Sequence, residues 1–565
     1  MSWSVKKKFH ALLAAEEGTI QKDWGGKIAI ALVYPNTYPV GMSNLGFQTI
    51  YWHLNQIPDV VCERVFVPDP EDLAELARSG TAPFSLESMR PLTDFHIIGF
   101  SVTFEGDYIN VLRLLTLAGI PLRAAERRAQ HPVVMMGGVC AFSNPEPIAP
   151  FMDLVAVGEG EELIHDLVGA YRAAGDRAGF LDAITALDGV YVPGHYAAAY
   201  EADGTIAAVT PHPGARPIVT KRRLRDVNRF ETISLVKTPN AEYGHMALLE
   251  VGKGCGRGCR FCLEGQVYRP VRHRSVEALR ETVKKMAAGG ATRVGLVGAC
   301  VSDYPWIGQL LDVVQDAGLE VSISSIRADS LSDSLAGALA RGGHRTLTIA
   351  PEAGTDRLRR VIRKAISDDQ IMEACDLVRR RGIPNLKTYF MIGQPTETLE
   401  DVEAIADLAA RMLERLRVLD AAGHPFGRLT LSISSFVPKP WTPFQWARFD
   451  GADSLAKKLD VIKRGVRRFP NVRVLHENPR EAALQALLAR GDRRVADFLE
   501  IAARLDGDWR RALRAWDGDP AFYTTRVRRL DERLPWDHFD VGVKKAGLRR
   551  EWERAHADEA VLAAS

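Results

Sequence analysis

The run Cys255-Gly256-Arg257-Gly258-Cys259-Arg260-Phe261-Cys262 follows closely on the apolar stretch 247–251 and sets three thiols at C-x3-C-x2-C spacing. Three thiolates so spaced can grip three irons of a cubane cluster and leave the fourth without a protein ligand. An open iron can bind and activate a small molecule, so the spacing speaks of chemistry as well as structure. Other readings of the cysteines make other demands. A structural zinc site needs a fourth ligand, and the nearest histidine downstream is His273, eleven residues past Cys262. A redox dithiol would use Cys259 and Cys262 and leave Cys255 spare. A coincidental group of buried thiols sits badly with Gly252, Gly254, Gly256 and Gly258, which build a loop and not a core. The spacing favours the cluster.

From Met246 onward, strand-like and helix-like patterns alternate. Six strands are expected, near 247–251, 293–298, 320–325, 345–350, 385–391 and 429–435. Six β-α units are too few for a closed eight-stranded barrel and suit a partial one, with chemistry at the C-terminal strand ends. After Trp446 the pattern turns mostly helical and Arg-rich. Upstream, 27–34 reads as a buried strand, 45–57 as a helix, 96–102 and 132–136 as further strands, and 153–157 as another running into Gly158-Glu159-Gly160-Glu161. This α/β alternation predicts an open, doubly wound parallel sheet that binds ligands at its C-terminal strand ends. The expected division is an extension over 1–24, the N-terminal sheet domain over 25–202, a linker over 203–245, the partial barrel over 246–445 and a mostly helical domain over 446–565.

A chain of 565 residues is too long for one core. Its 46% hydrophobic and 25% charged content is ordinary for a soluble globular protein. No apolar stretch approaches the roughly 20 residues of a membrane span, and the N-terminus does not read as a signal peptide. The net charge of +2 argues against an obligate polyanion partner at whole-chain level, and the basic runs at 221–225, 464–473 and 526–529 read as solvated faces. Seven cysteines, with Cys62, Cys140, Cys300 and Cys375 scattered singly, fit a reducing cytoplasm better than a disulfide framework. The expected location is cytoplasmic, with no membrane partner.

With Phe261 just before the last cysteine and a partial (β/α)6 barrel around the motif, the chain resembles the radical S-adenosylmethionine (radical SAM) enzymes. The resemblance implies a 4Fe–4S cluster on Cys255, Cys259 and Cys262, with S-adenosylmethionine chelating the free iron. One electron, from an external donor such as flavodoxin or ferredoxin, would cleave the sulfonium to a 5′-deoxyadenosyl radical. Further strand ends then take implied roles beside Phe261 in binding S-adenosylmethionine. Gly298 occupies the place of a Gly-Gly-Glu-like element, but the acidic residue is missing, so only the backbone role carries over. Ser325 suits the ribose and Arg327 the methionine carboxylate. Glu352 matches the acidic residue of the fourth strand end, and Gly393, in Gly393-Gln394-Pro395-Thr396-Glu397, matches a Gly-x-Pro-x-Glu turn beside the adenine. Each has a plainer reading: Ser325 and Asp329 can cap the helix near Leu331, and Gly393 to Pro395 can be only a turn. Cys300 is a candidate thiol at the mouth of the site or simply small packing.

The loop after the first N-terminal strand, Tyr34-Pro35-Asn36-Thr37-Tyr38-Pro39-Val40-Gly41, is not Gly-x-Gly-x-x-Gly, which disfavours a dinucleotide or phosphate loop. Small residues open the later strand ends, at Ser101-Val102-Thr103 and Gly137-Gly138-Val139-Cys140, with room for a long nucleotide tail. Together with Asn144-Pro-Glu-Pro147, Pro438-Lys-Pro-Trp-Thr-Pro443 and the 534–540 segment, this resembles the cobalamin-binding branch of the radical SAM enzymes over the whole chain. The resemblance implies cobalamin held by Asn36, Thr37, Tyr38, Ser101, Thr103, Gly137, Gly138 and Glu159. Asp94-Phe95-His96-Ile97-Ile98-Gly99 matches the signature whose His ligates cobalt from below, but that signature belongs after the first strand and here runs into a later one. His96 is therefore read as a strand residue, and cobalamin as bound base-off with its lower face toward the 34–43 loop. The expected function is a cobalamin-dependent methyltransferase acting on an unactivated carbon of a small or macromolecular substrate. The alternatives are a cobalamin-dependent rearrangement or redox step without methyl transfer, and an RNA-modifying enzyme reading RNA through its Arg-rich C-terminal region. Nucleic acid is not the favoured partner.

Overall fold

In the computed structural model, which describes residues 3–244, 246–418, 420 and 422–562, parallel sheets organise two regions of the chain. The first holds β1 (Ile28–Tyr34), β2 (Val60–Phe66), β3 (Ile97–Ser101), β4 (Val133–Gly137), β5 (Leu154–Ala156) and β6 (Val190–Tyr191), in the order β2-β1-β3-β4-β5-β6. All neighbours pair in parallel except β5 with β6. β1 is apolar throughout because alternate residues feed two cores: Ala29, Ala31 and Val33 on one face, Ile30, Leu32 and Tyr34 on the other. With β2 on one side of β1 and β3 on the other, the strand order reverses there. The crevice at the C-terminal ends of β1 and β3 is where sheets of this kind take ligands.

The second region holds β7 (Ala247–Glu250), β8 (Arg293–Val297), β9 (Glu320–Ile323), β10 (Thr346–Glu352), β11 (Asn385–Ile392), β12 (Arg428–Ser435) and β13 (Val472–His476). β7 to β9 and β10 to β13 pair in parallel, in chain order, and a parallel bridge between Ile326 and Ile349 joins the two groups. β13 is additional to the six expected strands. It lies in the stretch predicted to be helical because it is a half-exposed strand paired only with β12, without the continuous apolar run of a buried one. Helices between strands start on side-chain caps: Ser275, Ser332, Thr355, Ser367 and Thr398 each accept the backbone N–H three residues on.

The 203–244 part of the expected linker is tied down at several points. Ile206–Pro211 pairs with Tyr196–Tyr200, Val219–Thr220 runs parallel to Phe539–Asp540, and Ile233 bridges Leu249. The C-terminal helices share a core with the N-terminal region: Leu484, Leu487, Phe498 and Leu499 cluster with Leu112, Leu115 and Phe151. Nor are the basic runs wholly solvated. Lys221 is 8% and Arg528 4% exposed, because each donates to a buried carbonyl, of Val267 and of Arg490. No helix among the described residues is long and apolar enough to cross a membrane.

Candidate functional site

The cysteine loop is pinned at its base by a short antiparallel ladder, Gly252–Lys253 against Arg272–His273. Gly254 and Gly258 adopt φ of +85° and +74°; a Cβ on Gly254 would stand 2.5 Å from the Tyr268 carbonyl oxygen, and one on Gly258 2.9 Å from the Arg269 guanidinium. Cys259 is buried, and Cys255 and Cys262 are half-buried. Burial pushes the Cys262 thiol up to about 12 and also raises Cys259, where the charges of Lys364 and Arg327 oppose the rise. A metal held by these thiols would have to displace their protons. Two arginines brace the loop. Arg257 grips Asp303 through two bonds of 2.6 Å, and Arg260 donates to the Val361 carbonyl at 2.7 Å and to Glu551 at 3.2 Å. Among the described residues, no three His, Cys, Asp or Glu side chains gather as ligands of one metal ion. His273 packs edge-on against Tyr304 and Trp306, which leaves the zinc reading without its fourth ligand.

Beside Cys259 the strand ends supply charge. Arg327, 7% exposed, bonds Asp329 twice at 2.9 Å and donates to the Lys364 carbonyl at 2.8 Å. Lys364 Nζ lies 3.1 Å from Glu352 Oε1. Glu352 takes φ +71° where the register between β10 and β11 breaks, a conformation that costs a non-glycine residue energy. Gln394 holds it there, its Nε2 donating to the Glu352 carbonyl at 3.0 Å and the Met391 carbonyl at 2.9 Å. Gln394 Oε1 is buried and has no hydrogen-bond partner among the described residues. Gly393 N–H donates to Glu397, which pairs with Lys458, so this element forms a closed turn. Gly298 stands at the loop base, its would-be Cβ 3.2 Å from Val251. Ser325 is exposed, and the capping reading does not hold: Ser332 caps the helix Asp333–Arg341, and Asp329 is engaged with Arg327.

Phe261 packs against a cluster that includes Ala353, Leu358, Ile362, Phe436, Phe444 and Ala555. Burial pushes the Cys300 thiol up to about 12, and its Sγ lies 3.6 Å from Ser302 Oγ, so it is not a poised thiolate. Sequence reasoning gave Gln394 and Lys364 no role; the signal for Gln394 was its place inside the Gly393 to Pro395 turn.

At the ends of β1 and β3, Asn36 Nδ2 donates to Asp107 at 2.9 Å, Asn36 Oδ1 accepts the Thr37 N–H at 2.8 Å, and Tyr34 OH and Thr103 Oγ1 are 2.9 Å apart. Asn36, Thr37, Ser101, Thr103, Gly137 and Gly138 are all half-buried at these strand ends. A Cβ on Gly138 (φ +93°) would stand 2.4 Å from the Val102 carbonyl oxygen, so only glycine fits. Two predicted contacts lie elsewhere. Tyr38 is buried with its OH donating to Glu16 at 2.7 Å. Glu159, 5% exposed, takes Arg272 through two bonds of 2.7 Å and the Leu224 N–H at 2.9 Å. It is a strut between the 203–245 stretch and the cysteine loop, because a buried carboxylate must be paired. His96 sits at the opposite, N-terminal end of β3, its Nδ1 accepting the Ala29 N–H at 2.9 Å.

The two sets of strand ends face one another. Beyond β3, Glu105 pairs with Lys439 beyond β12 at 2.5 Å. Beyond β4, the Ser143 carbonyl accepts from Trp441 Nε1 at 2.9 Å, and Phe142 packs edge-on against Tyr268 of the cysteine loop. Beyond β5, Glu161 holds Lys253 at 2.7 Å. The cysteine loop thus lies against the C-terminal edge of the first sheet.

Residues 46–193 match the N-terminal domain of radical SAM proteins and residues 249–409 the radical SAM superfamily. An uncharacterised protein of Methanocaldococcus jannaschii, MJ0966, is 28% identical over 476 residues, which is 84% of this chain and 91% of that protein. The tRNA-2-methylthio-N(6)-dimethylallyladenosine synthase of Anaplasma marginale is 27% identical over 235 residues, 38% of this chain and 47% of that enzyme. Among solved structures, the radical S-adenosylmethionine methyltransferase TsrM of Kitasatospora setae, with cobalamin and a [4Fe-4S] cluster bound, shares the fold. The TM-score is 0.52 at 15% identity, over 87% of this chain and 100% of that one. This chain belongs to the radical SAM superfamily, and a 4Fe–4S cluster and S-adenosylmethionine are its cofactors.

Proposed function

We propose that the chain is a cobalamin-dependent radical SAM enzyme, with methyl transfer to an unactivated carbon as the most direct joint use of its cofactors. The observation that carries this is the apposition of the two sets of strand ends, with Glu161 on Lys253 and Phe142 on Tyr268. TsrM, whose fold is shared, holds cobalamin and a cluster together, which supports the reading. When bound, the cluster and S-adenosylmethionine supply one-electron radical chemistry, and cobalamin supplies a transferable methyl group.

The chain's own residues hold, orient and neutralise. Cys255, Cys259 and Cys262 would carry the cluster. Arg327 and Lys364 place positive charge beside Cys259, where it offsets thiolate charge, while Asp329 and Glu352 hold the two cations in place. Gln394 Oε1 offers a buried, unsatisfied acceptor next to Glu352. Asn36, Thr103 and Gly138 would line the cobalamin side, whereas His96, at the far, N-terminal end of β3, would take no part in holding it.

Anaerobic reconstitution with iron and sulfide should give a 4Fe–4S spectrum that the Cys255→Ala, Cys259→Ala, Cys262→Ala variant lacks. Titration with hydroxocobalamin should give a retained complex with a base-off absorbance spectrum. Zinc as the sole bound metal, with no cobalamin retained, would sink the proposal. Labelled methyl passing from S-adenosylmethionine into product separates methyl transfer from a rearrangement or redox step.

A further inference from the structure

Each reductive cleavage consumes an electron from outside the chain. Among the described residues no second group of cysteines gathers to relay it: Cys62, Cys140 and Cys375 are buried and single, and Cys300 is half-buried and single. A donor can approach the cluster from the outer face of the cysteine loop, and uncommitted positive charge gathers beside that face. Arg269 belongs to the loop, its guanidinium 2.9 Å from where a Cβ on Gly258 would stand, one residue from Cys259. Beside it opens a cleft of about 490 Å³ lined by Lys221, Arg222, Arg223, Arg225 and Arg229. Three of these are committed: Arg222 pairs with Asp166, Arg229 with Glu162, and Lys221 is buried over Phe142 and Tyr268. Arg223, Arg225 and Arg269 are exposed, and none forms an ion pair with any described residue. The one side-chain bond among them, from Arg223 to the Arg269 carbonyl, is 3.5 Å long.

Four carboxylates share the cleft: Glu162 and Asp188, held by Arg229 and Arg216, and the exposed Asp226 and Asp540. A positive excess broken by carboxylates suits the paired charges of a protein interface; a nucleic-acid track wants an unbroken basic stripe. We infer that Arg223, Arg225 and Arg269 form the docking face for an acidic one-electron carrier protein. The carrier is oxidised by one electron and the cluster reduced by one, with no atom or proton transferred. This rests on the cluster reading above. Steering by opposite charge would concentrate the carrier where its redox centre can approach Cys259.

The test uses the reconstituted full-length chain, reduced flavodoxin as the carrier probe, and the variant Arg223→Glu, Arg225→Glu, Arg269→Glu, with Arg223→Gln and Arg269→Gln as milder changes. Dithionite, which needs no docking face, fixes the amount of reducible cluster in each preparation. Dithionite-reducible cluster should be equal in all. Flavodoxin affinity and the rate of flavodoxin-driven reduction should fall at least about ten-fold on charge reversal and less in the Gln variants, and the wild-type rate should fall with added salt. Affinity and rate indifferent to both charge reversal and salt overturn the inference. So does salt-dependent RNA binding that the triple variant loses while flavodoxin reduction persists. Wild-type protein without any dithionite-reducible cluster would fail the cluster reading itself, and this inference with it.

Discussion

Asp107 is 5% exposed at the end of β3, with the Asn36 amide donating to its carboxylate and Glu105 nearby. Burial first, and the Glu105 charge second, push it up to about 7 against the favourable hydrogen bond from Asn36. Between about pH 4 and pH 7 the folded carboxyl keeps a proton that the unfolded chain has released, so the folded state binds more protons and stability falls as pH rises through that window. Denaturant melts should show wild-type protein losing about 1–3 kcal/mol from pH 5 to pH 8 relative to Asp107→Asn; parallel curves would mean that the carboxyl ionises freely. Gly254→Ala presses a Cβ against the Tyr268 carbonyl at a left-handed φ. It should cost about 1–3 kcal/mol and lower the iron content after reconstitution, read by metal analysis. The cysteines were legible because their spacing is local. Glu159 and Tyr38 were not: Arg272 lies 113 residues from Glu159 and Glu16 lies 22 residues from Tyr38, so only the fold decides what each carboxylate or hydroxyl meets.

The C-terminal helix Lys545–Leu562 reaches the cysteine loop from 291 residues away, through Glu551 on Arg260 and, at 3.4 Å, on Arg363. Trp552 packs edge-on against Phe444 and Trp446, and Ala555 is buried in the cluster that also receives Phe261. Removing both anchors, as Glu551→Gln with Trp552→Ala, should cost about 2–4 kcal/mol of local stability. The variant should still assemble its cluster and lose it to a chelator faster than wild-type protein, followed by bleaching of cluster absorbance; Arg550→Gln, at an exposed position on the same helix, should bleach at the wild-type rate. Equal rates in all three would detach the helix from the site. Strands buried on both faces, such as β1, announce themselves as apolar runs, and capped helices by Ser or Thr. β13 escaped notice because Val472-Arg473-Val474-Leu475-His476 is half-exposed and broken by charge, and nothing local in 545–562 says which loop it will cover.

At the scale of the whole molecule, shifts in pattern mark regions that do not fold apart. One apolar cluster takes in Val33 and Phe100 of the first sheet, Val267 of the cysteine loop, Trp441 and Trp446 after β12, and Phe498, Leu499 and Trp536 of the C-terminal part. Polar contacts cross the same boundary: Arg493 bonds Glu146 at 2.8 Å and Tyr191 OH at 2.7 Å, and Asn144 donates to the Gly491 carbonyl at 2.8 Å. Part of the Arg-rich composition that suggests an RNA-reading module is thus internal, with Arg490 and Arg528 buried on backbone carbonyls. Ending the chain at residue 445 would remove Leu484, Leu487, Phe498, Leu499 and Trp536 from that cluster and β13 from the second sheet. At about 1.5–3 kcal/mol for each large apolar side chain, the loss rivals the whole 5–15 kcal/mol stability of a typical domain. Residues 1–445 should therefore aggregate or bind a hydrophobic dye strongly, and hold neither cobalamin nor cluster, while the full chain melts in one transition by calorimetry. A soluble 1–445 piece that keeps its cofactors, or two separate transitions in the full chain, would make the C-terminal part an independent module and restore RNA reading as the stronger account of its arginines.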